Sequence, residues 1–194
     1  MKLSPELKFE TPPDWTKAVM SDFNSFLQDH ADCERKASAM AMSLVAKCPD
    51  KVTIIPWLIE TAVEELDHFQ KVYAVMEQRG VRLMSDMKPD LYIKRLLDHS
   101  RPRPEDRLLD RLLMVSIIEC RATERFRLVA EALEDEDLKV FYKMLWTTEA
   151  KHGNIYVKMA LEYYPKEEVS KRLEELVDIE ADICKALPLR AAVH

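Results

Sequence analysis

The chain has 194 residues, 47% hydrophobic and 33% charged, with a formal net charge of −6. That length suits one domain spanning residues 1–194. Only two glycines are present, Gly80 and Gly153. They cannot supply the φ > 0 turns of sandwiches and barrels. They also exclude a Rossmann fingerprint or a P-loop, so an all-α chain is expected. The amino terminus lacks the apolar core of a signal peptide, and no apolar run is long enough to span a membrane. The four cysteines (Cys33, Cys48, Cys120, Cys184) are scattered without a C-x-x-C pair, as in a reducing compartment. A cytoplasmic protein is expected.

Asp14, after Pro12-Pro13, can cap a first long helix running to about Cys48, where Pro49-Asp50 breaks it. Its apolar stripe includes Trp15, Val19, Phe26, Leu27, Ala41 and Leu44, interrupted by His30 and Glu34. A second helix starts between Lys51 and Pro56 and stops at Gly80, with Leu58, Ala62, Glu65, Phe69, Val72 and Met76 on one face. A shorter helix over about Pro89–His99 carries Leu91, Leu96 and Leu97 inside a crossover connection. The third long helix is expected over Pro104–Glu134 and the fourth over Asp137–Tyr164. A final helix follows over Pro165–Leu187. The long stripes repeat at the 3.6-residue period. The expected architecture is a four-helix bundle with additional crossover and C-terminal helices.

Ionisable residues interrupt these stripes on their inward faces. Buried carboxylates are costly unless paired, protonated or bound to metal. Glu65-Leu-Asp-His68 and Glu149-Ala-Lys-His152 each place a Glu and a His at i, i+3 on one helix face. Glu34 precedes the first pair by 31 and 34 residues, and Glu119 precedes the second by 30 and 33. The two halves are therefore offset by 84–85 residues. One Glu from each of two helices, plus Glu-x-x-His from each of two others, is the di-metal pattern of ferritin-like bundles. Four carboxylates and two imidazoles suit two iron or manganese ions. Each residue alone has an ordinary structural reading, as a surface, ion-paired or packed side chain; spacing and phase together favour ligation. Glu124 competes with Glu119, but its phase falls with Cys120, Arg127 and Glu131 on a polar face. His30, one turn before Glu34, either supports that ligand or only packs.

The runs His30-Ala-Asp-Cys-Glu34-Arg-Lys-Ala, Glu64-Glu65-Leu-Asp-His68-Phe, Glu119-Cys-Arg-Ala-Thr-Glu-Arg-Phe and Glu149-Ala-Lys-His152 carry a family likeness. Over essentially the whole chain the sequence resembles the ferritin-like di-iron carboxylate proteins. Within them it resembles the MiaE tRNA hydroxylases, which act on 2-methylthio-N6-isopentenyladenosine beside the anticodon. The resemblance implies Glu34, Glu65, His68, Glu119, Glu149 and His152 as ligands to two iron ions. It also implies O2 as co-substrate, one oxygen atom entering the isopentenyl group and the other leaving as water, with two electrons from outside. The implied partner is the anticodon stem-loop of tRNA.

Several residues can be weighed beside that resemblance. The absence of flavin and nicotinamide motifs calls for an external electron donor. Thr123, one turn after Glu119, could hydrogen-bond an iron–oxygen intermediate, or bond the carbonyl four residues back. Gly153 costs about 1 kcal/mol relative to Ala in a helix, which implies a close neighbour. Residues 79–127 hold twelve Lys or Arg against eight Asp or Glu, so the rest of the chain carries the acidic excess. Arg101, Arg103 and Arg107, in and after Arg-Pro-Arg-Pro, are the phosphate-contact candidates; an ordinary solvated loop is the plain alternative. A monomer or small homo-oligomer fits this reading, whereas a many-subunit shell would favour iron storage. Manganese catalase or small-molecule oxidase activity is a further alternative. A radical role would need a tyrosine such as Tyr73 or Tyr156 beside the metals.

Overall fold

The structure is a computed structural model that describes residues 5–85 and 89–194, and its regular elements are eight α-helices: α1 Pro13–Ser21, α2 Phe23–Lys47, α3 Ile55–Gln78, α4 Leu91–Leu97, α5 Pro104–Ala132, α6 Glu136–Glu149, α7 His152–Leu161 and α8 Lys166–Ala186. No strand occurs among the described residues. No helix among them is long and apolar enough to cross a membrane. The chain forms two compact units, one of residues 17–88 and 190–193, the other of residues 1–16, 89–189 and 194.

The first unit is built on the α2–α3 pair. The expected single helix from Asp14 to Cys48 is divided at Asp22. That residue leaves helical geometry (φ −144°, ψ 62°), and its side chain accepts the Ser25 N–H at 3.2 Å. An aspartate offers the backbone this competing partner, which ends one helix and caps the next. Helix α1 itself begins at Pro13, so Asp14 lies in its first turn, where its charge favours the helix dipole. Helix α3 begins with proline in its first turn and ends as expected at Gly80 (φ +67°). There Val81 N–H bonds Met76 O at 2.9 Å and Gly80 N–H bonds Glu77 O at 3.1 Å. This paired closure is the Schellman arrangement, and its left-handed residue favours glycine. Ser38 Oγ donates to Ala62 O at 2.7 Å, tying α2 to α3.

The second unit packs α6, α7 and α8 against α5, with α4 against α8. Helix α4 starts at Asp90, whose side chain accepts the Ile93 N–H at 3.0 Å. Its buried residues are Tyr92 and Leu96, while Leu91 is exposed. The expected fourth long helix is divided into α6 and α7 at Ala150–Lys151. Thr147 and Thr148 hydroxyls donate back to the Lys143 and Leu145 carbonyls, at 2.7 and 2.8 Å; such bonds bend helices. Lys151 N–H then bonds Thr148 O at 3.1 Å, an i to i−3 turn.

Buried charge is satisfied internally in this unit. Arg121, fully buried, reaches Glu180 through Nε (2.8 Å) and Nη2 (3.0 Å), while its Nη1 reaches Glu124 at 2.5 Å. Thr11 donates to Glu124 through N and Oγ1, at 2.9 and 2.7 Å. Tyr92 Oη donates to Glu180 at 3.1 Å. Burial alone would raise the Asp110 carboxyl, but hydrogen bonds from Arg101 and Arg172 hold it below its usual value.

Candidate metal centre

In the α2–α3 unit, Glu34 on α2 and Glu65 and His68 on α3 are all buried. One donor atom from each lies within 4.8 Å of the other two. His68 Nδ1 is 3.5 Å from Glu65 Oε2 and 4.0 Å from Glu34 Oε2. His30, also buried, places Nε2 2.6 Å from Glu34 Oε1. The sequence left His30 open between support and packing; the geometry gives it a hydrogen bond to Glu34. That contact fixes which carboxylate oxygen faces His68.

In the other unit, Glu119 on α5, Glu149 at the end of α6 and His152 at the start of α7 are likewise buried, with one donor atom each within 4.8 Å. His152 Nδ1 lies 2.6 Å from Glu149 Oε2, closer than the matching pair on α3. The i to i−3 turn between α6 and α7 accounts for the difference. In 3₁₀-type geometry side chains at i and i+3 eclipse, whereas on an α-helix they are staggered. Glu124 does not join this group, because Arg121 and Thr11 hold it.

Gly153 follows His152 where α7 meets α5. A Cβ there would stand 2.5 Å from Cys120 Sγ, so the close neighbour expected from the sequence is that thiol. Ser116 Oγ donates to the Gly153 carbonyl, a contact that no local pattern in the sequence marks. Burial, then the charge of Glu119, pushes the Cys120 thiol up to about 12, which keeps it neutral at physiological pH. Thr123 donates its hydroxyl to Glu119 O at 2.8 Å, the backbone bond that was the alternative to a role at the metal.

The donor chemistry fits hard or borderline cations. Each unit offers two carboxylates and one imidazole and no thiolate, a set suited to iron or manganese and unlike a structural zinc site.

The basic stretch 79–127 is not one surface. Arg121 and Arg125 are buried, Arg125 with its guanidinium 5.1 Å from the Trp15 ring centroid. Arg101 is committed to Asp110 through three contacts of 2.7–3.2 Å from Nε and Nη2, and its backbone N–H bonds the same carboxylate at 2.7 Å. Arg107 donates to Pro102 O at 3.2 Å, and Arg103 remains largely exposed. Lys88 lies outside the described residues.

The family model described as tRNA-(MS[2]IO[6]A)-hydroxylase (MiaE) matches residues 2–194. The chain belongs to the MiaE family. It is 34% identical over 178 residues to the tRNA 2-(methylsulfanyl)-N(6)-isopentenyladenosine(37) hydroxylase of Pseudomonas putida, covering 90% of this chain and 86% of that one. The Salmonella typhimurium protein of the same description is 30% identical over 233 residues, covering 93% and 85%. Among solved structures, a Synechococcus protein with aldehyde deformylating oxygenase activity matches with a TM-score of 0.89 at 31% identity, over 95% of this chain and 92% of that one. The MiaE chain thus has the all-α, ferritin-like fold expected from its stripes.

Proposed function

We propose that this chain is an O2-dependent hydroxylase of the isopentenyl group of 2-methylthio-N6-isopentenyladenosine in tRNA, working as one domain over residues 1–194. We further propose that Glu34, Glu65, His68, Glu119, Glu149 and His152 serve a single two-iron centre. The observation that carries this is the pair of buried Glu/Glu/His groups, alike in composition and offset by 84–85 residues, in a member of the MiaE family. Four carboxylates balance two divalent charges, which offsets much of the cost of their burial.

When bound, the two ions supply the reduction of O2 that hydroxylation needs. One oxygen atom enters a C–H bond, and the other leaves as water after two electrons and two protons are taken up. The protein's own part is orientation and exclusion of water. His30 fixes the Glu34 carboxylate, and the turn at Ala150–Lys151 sets Glu149 against His152. Thr123, anchored on the Glu119 carbonyl, retains oxygen lone pairs that can accept a proton-bearing group. The electrons come from a separate donor, and the reacting adenosine must leave its stack to reach a buried centre. The protein works in the cytoplasm, as a monomer or small homo-oligomer. Among the basic residues named from the sequence, Arg103 and Arg107 are available for phosphate, while Arg101 shapes their loop through Asp110.

The test is anaerobic loading with ferrous iron, then O2 and a reducing system, with isopentenylated anticodon stem-loop as substrate. Mass analysis of the nucleosides should show a gain of one oxygen atom, with much weaker turnover of the free nucleoside. No oxygen gain on either substrate, with two irons bound, overturns the reading and favours storage or small-molecule oxidation.

A further inference from the structure

We propose that a cleft on the α2–α3 unit binds one nucleotide of single-stranded RNA, with its phosphate on Arg35 and Lys36 and its base against the Phe69–Tyr73 ring pair. The proposal rests on the reading of the chain as a tRNA hydroxylase and names where that substrate docks. The cleft has a volume of about 420 Å3, and Gln28, Asp32, Arg35, Lys36, Phe69 and Leu83 contribute to its walls. That volume is in the range of small-ligand sites. A second hollow of about 390 Å3 shares Leu83 with the first and has Tyr73, Glu77 and Arg82 in its walls.

The cleft is built rather than incidental. Gly80 turns the chain after α3, and Gln28 Nε2 donates to Arg82 O at 2.7 Å, pinning the segment that forms the far wall. Asp32 gathers two cations, with Arg35 Nη2 at 2.6 Å and Lys36 Nζ at 2.5 Å. Both cationic side chains remain more than half exposed (57% and 53%). Two positive groups on one carboxylate leave a net positive charge already aimed at the cleft.

The Phe69 and Tyr73 rings lie 6.2 Å apart at an interplanar angle of 26°, and Tyr73 is exposed. Exposed Leu83 and Met84 add apolar surface. Cations that track phosphate beside stacked aromatic rings are the combination that single-stranded nucleic acid uses. An apolar peptide would find half of this surface mismatched in charge. Gln28, Asp32, Arg35 and Lys36 lie roughly 100–200° around α2 from Glu34, at 100° per residue. On α2 the cleft therefore lies on a different face from Glu34, while on α3 its wall Phe69 follows His68 and stands one turn after Glu65, so the cleft takes a nucleotide flanking the reacting one.

The experiment measures binding of a labelled anticodon stem-loop to the full, metal-loaded protein over a salt series. Arg35→Gln with Lys36→Gln should weaken binding at least tenfold. It should also flatten the log–log salt slope by about 1.4, as for two lost single-strand phosphate contacts. Tyr73→Ala should cost about tenfold with the slope unchanged, as for one lost base stack, and Tyr73→Phe should restore it. Lys139→Gln with Lys185→Gln, the same charge change elsewhere, should stay within twofold. Metal content and helix content identify any misfolded variant; should the double variant misfold, the surface change at Tyr73 decides. Cleft variants that bind within twofold of wild type, or a Lys139/Lys185 loss as large as theirs, overturn the proposal. Wild-type protein that shows these binding dependences yet never hydroxylates the stem-loop refutes the hydroxylase reading and leaves the cleft standing.

Discussion

Replacing Gly153 by alanine tests the packing that seats His152. Two terms oppose each other. Alanine is favoured over glycine inside a helix by about 1 kcal/mol. Against that, the new Cβ would stand 2.5 Å from Cys120 Sγ, far inside van der Waals contact, so something must move. Overpacking of this kind costs about 1–3 kcal/mol. The thiol can relieve the clash only by turning to another helix-compatible rotamer, since χ1 near +60° is disfavoured on α5. The net expectation for Gly153→Ala is a loss of about 0–2 kcal/mol.

In a Cys120→Ala background the obstacle is gone. The next atom the Cβ meets is Ser116 O at 3.5 Å, an ordinary contact. There the same substitution should stabilise by about 0.5–1 kcal/mol. The sign reversal is the prediction, and the double-mutant cycle should give a coupling of about 1–3 kcal/mol. Urea titration followed by helix content on the metal-free protein reads it. Thermal melts should echo it at about 2–4 °C per kcal/mol for a chain of this size. Equal losses in both backgrounds would refute the argument and show that the thiol is not what demands glycine.

Three further outcomes are expected. Glu180→Gln should destabilise by about 1.5–3 kcal/mol, because Arg121 loses its charge-assisted bonds to Glu180 while Glu124 still holds its Nη1, and Arg121→Met combined with Glu180→Leu should recover part of it in the same titration. Burial pushes the His194 imidazole down to about 4, with Asp90 partly opposing. A group whose folded pKa is depressed contributes stability present above its unfolded value, near 6.5, and lost as pH falls toward 4; wild type should therefore lose more stability between pH 7.5 and pH 5 than His194→Asn, and equal losses would refute this. Glu65→Ala and Glu149→Ala should each abolish two-metal occupancy measured by elemental analysis, whereas retention of two metals would remove that residue from the ligand set.

The helices were legible because each long stripe carries its own 3.6-residue period, and the Gly80 stop because one left-handed residue closes α3. The metal candidates were legible for a different reason. Their chemistry repeats at fixed spacing, so Glu65/His68 and Glu149/His152 mark each other in the sequence even though a single Glu-x-x-His would not. What stayed hidden depends on partners far apart in sequence. Nothing local announces that Arg121 meets Glu180 across 59 positions, or that Arg101 and Arg172 share Asp110. Counting charges along residues 79–127 therefore overstated the basic surface, because its arginines include two that the core consumes. The breaks at Asp22 and Ala150 were missed because apolar periodicity runs through both, while side-chain bonds to the backbone decide them.

The buried charges sort into two kinds by what stands beside them. Glu180 and Asp110 face guanidinium groups, whose charge is permanent at any physiological pH, so these pairs are complete as they stand. Glu34, Glu65 and Glu149 instead have imidazoles beside them, at 2.6 to 4.0 Å. An imidazole is a ligand as readily as it is a cation, and it becomes one only by giving up its proton. A fold that needed these carboxylates merely neutralised could have used arginine, as it does at Glu180 in the unit that holds Glu149. Choosing histidine at both repeats keeps the positive charge optional, which a permanent ion pair cannot do. The same choice makes metal occupancy sensitive to pH. A downward pH titration that follows metal content beside helix content tests this choice, and metal loss should precede loss of helix content. Simultaneous loss of both would show that the two kinds of buried charge are not separable in this way.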